Sequence, residues 1–439
     1  MPAIEIENRI RQINPWILHP EKSGEFIDRF LPEEYVHRMA QSAPIRADRA
    51  LLIVGPRQSG KSTMVWRLLR DLVPEILFLN MEDPLLRIGC GSPIDLAAYL
   101  RDNFSNLKAL FIDEIQHMDE AGLFVKGLVD ARLGIPLLVT GSSSFDLRSR
   151  TRESLAGRAT RRLLTPFSAT EMLQHAAPKN PVAKRHTFHQ IFSNHLVFGS
   201  YPAVYLAPDR DEKTMLLSDL VEAFILRDAS DLFRIKRVDA FRKLLPLLAG
   251  QIGNLLSYSE LASICNIDVG TVNAYIEILE ESHIVKRLRP FAGGKRREIT
   301  TAPKTFFIDN GIRNQLLNNF SLELPLRTDK GQLFENWVFS EIYKNLPLQS
   351  SVKFWRSKTR AEVDFVIEHA GTLSGLEVKF SSFKSPKVSR SSWSFMEAYH
   401  PDRFAVLNLT LEQDAEIRGR EVSFITPVGF PRWLEGVFA

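Results

Sequence analysis

Residues Arg49–Leu72 read RALLIVGPRQSGKSTMVWRLLRDL. The apolar run LLIV has the character of a buried strand and meets Gly55; Gly60, Lys61 and Ser62 then complete the pattern Gly-x-x-x-x-Gly-Lys-Ser. A strand, this loop and an amphipathic helix together spell a phosphate-binding loop. Glycines let backbone N–H groups face phosphate oxygens, and the helix that follows adds the positive end of its dipole. Lys61 has the reach to meet the β- and γ-phosphates, and the Ser62 hydroxyl is placed to ligate magnesium. The binding set expected for ATP is Gly55, Pro56, Arg57, Gln58, Ser59, Gly60, Lys61, Ser62 and Thr63.

Outward from the loop, LKALFIDEIQHM is a second buried strand, ending in Asp113 and Glu114. Two acids at the end of an apolar strand suit the other half of a magnesium-triphosphate site. Asp113 is expected to hold the ion, and Glu114 to polarise the attacking water. EILFLN and IPLLVTGSSS read as further strands, and PIDLAAYLRDNF and AGLFVKGLVDAR as helices. Strands alternating with helices predict a parallel α/β sheet with its site at the strand carboxyl ends. Ser142 or Ser143, after PLLV, is expected to sense the γ-phosphate. LRSRTRESLAGRATRRLLTPFS carries six arginines from Arg148 to Arg162. Arg158, with Arg161 second, is the expected arginine finger, and a finger supplied in trans implies a homo-oligomer.

The phosphate loop, FIDEIQ, TGSSSFDL and ESLAGRATRR together resemble the AAA+ ATPases of bacteria and archaea that carry a C-terminal domain of unknown function. The resemblance implies an ATPase core followed by a helical lid, a winged helix and a nuclease-like fold. FGSYPAV (198–204) resembles a Gly-x-Tyr-Pro loop of that lid, and ILRDASDLF a second lid motif, in which Arg227 is a candidate nucleotide sensor. The expected divisions are an N-terminal helical segment (1–45), the P-loop core (46–165), the lid (166–248), the winged helix (249–324) and the nuclease-like domain (325–439).

Composition fits a soluble globular chain: 439 residues, 44% hydrophobic and 25% charged, with net charge +4. No apolar stretch is long enough to cross a bilayer and the first residues lack a signal-peptide core, so a cytoplasmic protein with no membrane partner is expected. The two cysteines, Cys90 and Cys265, exclude a disulfide framework. The mild positive charge permits nucleic-acid binding without demanding it.

From Pro166 to Leu248 the periodicity is helical, with breaks at Pro178 and Pro181. LSYSELASICNIDVGTVNAYIEILEESHIVKRLRPF then has the lengths of a helix-turn-helix and wing, its first helix capped by Ser259. Between Asp268 and His283 there is no Lys or Arg, but Asp268, Glu277, Glu280 and Glu281 are present. Phosphates would repel such a helix. The wing is basic, with Lys286, Arg287, Arg289, Lys295, Arg296 and Arg297. Two readings stand: the wing contacts the phosphate backbone of DNA without the helix reading bases, or the winged helix is structural and packs on the ATPase or a partner.

In EVDFVIEHAGTLSGLEVKF (362–380), Asp364, Glu377 and Lys379 interrupt apolar strands. With the preceding helix GQLFENWVFSEIYKNL, the order is helix, three strands, helix, strand. That order resembles the restriction-endonuclease-like fold, and Glu335, Asp364 and the Glu-x-Lys of residues 377–379 match its metal motif. Oxygen ligands for magnesium would come from Glu335, Asp364 and Glu377, while Lys379, on the same strand face as Glu377, activates water or stabilises charge. Two functions follow: an ATP-driven enzyme acting on nucleic acid with a magnesium-dependent nuclease site, or a nucleotide-dependent switch whose last two domains are non-catalytic interaction modules.

Overall fold

Strand β1 (Ala50–Gly55) is buried at every residue and pairs in parallel with two later strands, β4 (Leu137–Ser142) and β5 (Ala159–Leu163). With β2 (Ile76–Asn80) and β3 (Ala109–Asp113) they form a parallel sheet in the order β2-β3-β4-β1-β5. Burial of both faces explains the unbroken apolar runs. Leu52, Val54, Leu110 and Ile112 point to one face, where helices α3 (Pro93–Asn103) and α4 (Ala121–Asp130) cover them; Leu51, Ile53 and Phe111 point to the other, toward Trp16 and Trp66. Helix α1 (Ile4–Ile13) adds Ile10 to the first face, and α2 (Lys61–Leu69), which follows the phosphate loop, places Met64, Val65 and Trp66 on the second.

The structure, a computed structural model, describes residues 4–42, 44–142, 155–225, 235–291 and 302–439. It divides into two compact units, Met1–Pro166 with Glu281–His283, and Phe167–Glu280 with Ile284–Ala439. The lid, winged-helix and nuclease-like segments read separately from the sequence share one apolar core, which runs from Ala169 to Val437.

In the second unit, α5 (Ala169–Ala176), α6 (Pro181–Phe198), α7 (Arg210–Ala223) and α8 (Val238–Gly250) supply the helical text. Pro181 does not break a helix but opens one, in a first turn that needs no proline N–H, with Asn180 accepting from Ala183 N. The segment read as a helix-turn-helix and wing forms α9 (Tyr258–Cys265) and α10 (Val269–Glu281), followed by the antiparallel strands β6 (Val285–Leu288) and β8 (Lys304–Phe307); β7 (Pro290–Phe291) lies between these two in sequence. Ser257, rather than Ser259, caps α9, accepting from Glu260 N at 3.4 Å. After α11 (Asn310–Leu316) and α12 (Lys330–Asn345) come β9 (Ser351–Arg356), β10 (Glu362–His369), β11 (Thr372–Val378), α13 (Arg390–Tyr399), β12 (Arg403–Leu407), β13 (Gln413–Ile417) and β14 (Arg420–Ile425). The C-terminal sheet runs β13-β14-β12-β11-β10-β9-β7. The expected order of helix, three strands, helix and strand is present, extended by a final antiparallel pair, β13 and β14.

Candidate functional site

The loop from Gly55 to Gly60 turns through left-handed backbone at Gln58 (φ 56°) and Gly60 (φ 87°). Gly60, with no side chain to cap it, is the N-cap of α2, and helix N-termini present amides and a positive dipole end that suit phosphate. Gly55 is fixed by crowding: a Cβ there would lie 2.1 Å from Leu164 O. Lys61, buried, donates to Gly55 O (3.2 Å) and Pro56 O (2.8 Å), so its ammonium folds back over the loop. Pro56 and Ser59 are buried, Arg57 and Thr63 half-buried, and Gln58 exposed.

Strand order places β4 between β1 and β3, and both flanking strands end at the same edge. Ser62 Oγ donates to Asp113 Oδ1 at 2.9 Å. The Glu114 amide donates to the same oxygen at 3.1 Å, and so does the Thr140 hydroxyl. Burial, and then the neighbouring charge of Glu114, push the Asp113 carboxyl above its ordinary range, against the pull of Thr140, Ser62 and Lys61. A dry carboxylate beside a loop hydroxyl is a site that gains from a cation, and Ser62 with Asp113 suits magnesium. Glu114 follows in left-handed backbone (φ 54°), its carboxylate held by the Gln116 amide. Ser142 pairs in register with Gly55, and Ser143 lies outside the described residues.

Arg158 stands at the other end of the sheet. Its carbonyl accepts from Ala50 N at the start of β1, and Arg161 pairs with Leu52. The five strand steps from Ala50 to Gly55 span about 16 Å. Arg158 therefore does not reach its own chain's phosphate loop; it forms an exposed ion pair with Asp130 at 2.7 Å. Arg148, Arg150, Arg152 and Arg227 lie outside the described residues.

In the C-terminal hairpin, Phe365 pairs with Leu376, which sets Asp364 and Glu377 opposite each other one step further along. Val378 N donates to Asp364 Oδ2 at 2.7 Å. Lys379 Nζ lies 2.7 Å from Glu377 Oε1, while Ser389 and Ser392 donate to Glu377 Oε2. Glu335, on α12, meets a lysine the sequence reading passed over: Lys304 Nζ is 3.3 Å from Glu335 Oε1 and 2.5 Å from Glu362 Oε1. Burial pushes the Glu335 carboxyl up to about 8, opposed by Lys304 and reinforced by Asp364 and Glu362. Asp364 is raised by burial as well, although Lys379 and Lys304 pull it down. The sequence expectation is a divalent site at Glu335, Asp364 and Glu377. The residues share one charged cluster, but among the described residues no three His, Cys, Asp or Glu side chains group as metal ligands. Serines and lysines engage the carboxylates that an ion would need.

The first basic residues expected on the wing are engaged within the chain. Arg287 is not free for phosphate: it bonds Glu280 Oε2 (2.6 Å from Nη2), Asn273 Oδ1 (2.6 Å) and the Tyr258 hydroxyl (3.1 Å). Lys286 lies 3.6 Å from Glu280. The acids of α10 and the first cations of the wing thus neutralise each other, while Lys295, Arg296 and Arg297 lie outside the described residues.

Sequence reasoning missed several residues. Thr140 lies within β4, whose place beside the acid strand comes from the strand order and not from any sequence pattern. Buried Arg38 donates to Ser59 O (2.8 Å) and Thr165 O (2.6 Å), tying the phosphate loop to the residues after β5; no sequence pattern marks it. FGSYPAV now has a physical account. A Cβ at Gly199 (φ 72°) would strike the Asp309 carboxylate, which accepts from Ser200 N at 2.7 Å. Lys344, buried, bonds Ser200 Oγ (2.9 Å), His195 Nε2 (3.2 Å) and Glu341 Oε1 (3.3 Å). The motif anchors a buried polar network.

Residues 47–173 match the family model described as AAA domain, and residues 189–323 and 330–428 match two models, each described as a domain of unknown function (DUF8612 and DUF4143). An uncharacterized protein of Mycobacterium tuberculosis is 27% identical over 376 residues, 85% of this chain and 78% of that protein. An uncharacterized protein of Methanocaldococcus jannaschii is 23% identical over 72% of this chain and 71% of its own length. Among solved structures, the RuvB Holliday junction branch migration motor of Thermotoga maritima is 17% identical over 54% of this chain and 82% of that chain, at a TM-score of 0.26, too slight to carry an argument. Phosphate loop, acid strand and strand order agree with the match of residues 47–173 to the AAA domain model: the first unit has a parallel-sheet core that resembles P-loop NTPases.

Proposed function

We propose that the chain is a magnesium-dependent ATPase. The observation that carries this reading is the convergence of Ser62 and Asp113, 2.9 Å apart, at the mouth of an uncapped helix N-terminus. The amides of Gly60, Lys61, Ser62 and Thr63 hold the phosphates, and the Lys61 ammonium swings from Gly55 O and Pro56 O onto them. Ser62 and Asp113 would hold a magnesium ion, which would neutralise charge on the phosphates. Glu114, released from Gln116, orients the attacking water, and Thr140 keeps Asp113 in place. Ser142, beside Gly55, senses the terminal phosphate. Arg158 acts in trans, on a neighbouring copy. Binding of a fluorescent ATP analogue tests the assignment: Lys61→Ala should weaken it at least tenfold, and wild-type affinity in that variant would remove the loop as the site.

For the second unit, action on nucleic acid is the reading of the wing, with a nuclease site at Asp364, Glu377 and Lys379; the arginine stretch of the first unit would add backbone contacts. The internal lysines of the carboxylate cluster and the self-neutralised α10 favour the other reading, a nucleotide-dependent switch whose winged helix and C-terminal domain bind partners without cleaving.

A further inference from the structure

We infer that Lys304 is the resident cation of the C-terminal carboxylate cluster, its ammonium bridging Glu335 and Glu362 beside Asp364 where a divalent ion would otherwise sit, so that in this form the cluster takes up no divalent metal and cleaves no phosphodiester. Lys304 arrives from β8, the return strand of the winged-helix hairpin, while Glu335 comes from α12 and the other two acids from β10. Its side chain is 3% exposed, its ammonium contacts Glu362 and Glu335, and the Phe354 ring lies 5.3 Å away. An ammonium so deeply buried persists only against carboxylates, and these are the ones it has. Arg356, at 3.2 Å, takes the other oxygen of Glu362, and Lys379 takes Glu377. A divalent ion needs several free carboxylate oxygens within about 2.0–2.6 Å. It would sit against a positive charge already bonded to the same atoms, a repulsion strong at low dielectric. The cluster therefore holds the lysine or the metal, not both. This inference is independent of the nucleotide reading.

The test uses the full-length, nucleotide-free protein and Mn2+ as the probe, with free Mn2+ read by electron paramagnetic resonance. Each arm is repeated with Asp364→Asn, so that only binding at this cluster counts. Wild type and Lys304→Arg should show no Asp364-dependent Mn2+ binding below millimolar concentration. Lys304→Met should gain one Asp364-dependent site, at least tenfold tighter than any in wild type. Asp364-dependent binding in wild type at the strength of Lys304→Met would overturn the inference, as would a folded Lys304→Met that gains no site. The wild-type arm alone decides the matter if Lys304→Met does not fold, which circular dichroism reports.

Discussion

Glu114 follows Asp113 in left-handed backbone, a conformation that a residue with a Cβ adopts at some strain, and Gln116 holds its carboxylate. Glu114 is half-buried, and its charge bears on the Asp113 carboxyl that Ser62 bonds. Glu114→Gln should keep ATP affinity within a few-fold and lower turnover by about 10²–10⁴, the usual worth of a positioned general base. Wild-type phosphate release in a coupled assay would reassign the base. Asp329 poses a different single-residue question. Burial raises its carboxyl, but hydrogen bonds and charge from Arg327 and Arg313 outweigh that and bring it down to about 2. A depressed acid stabilises the fold above its unfolded value of 3.8, and that stability is lost as pH falls through about 2. Asp329→Asn should cost about 1–2 kcal/mol at pH 7, because it strands two buried arginines, and the gap from wild type should close toward pH 2. Denaturant melts at several pH values read this; a pH-independent gap would mean that the ion pairs are not its source.

Elements succeed here by covering what they expose. Strand β2 is an edge of the parallel sheet, with backbone groups that would template pairing with another chain. Asn14 closes that edge with a side chain acting as a short strand: its amide donates to Phe78 O at 2.9 Å, and its oxygen accepts from Phe78 N at 2.7 Å. Trp16 Nε1 adds a bond to Ile76 O at 3.0 Å. Asn14→Ala leaves two buried backbone groups unpaired and should cost about 2–4 kcal/mol, whereas Asn14→Asp restores only one bond. Thermal melts that rank both variants with wild type would show that the edge is closed by other means. The same economy explains α10 and β6, where Arg287 meets Glu280 and Glu277 of the acidic helix.

Across the whole molecule, the position of Arg158 at the far end of β5 gives the oligomer question a definite form. If the arginine completes a neighbour's site, Arg158→Ala should bind ATP normally and lose about 10³-fold or more in turnover. Mixing it with Glu114→Gln should restore part of the lost activity, since one variant keeps the base and the other the finger. Full turnover by Arg158→Ala alone would end the proposal. The sequence by itself determined the first unit. Its strands are local apolar runs, and its loop chemistry lies in consecutive residues, so Gly55 to Ser62, Asp113 and Glu114 were legible without coordinates. Only the tertiary structure decided that Thr140 and Arg38 belong to that site, that Lys304 enters the C-terminal cluster, and that the last three segments share one core. Charge pairing is the reason. Periodicity reports which face a residue takes, but the partner of a buried charge comes from another element at any sequence distance, and only the folded chain brings the two together.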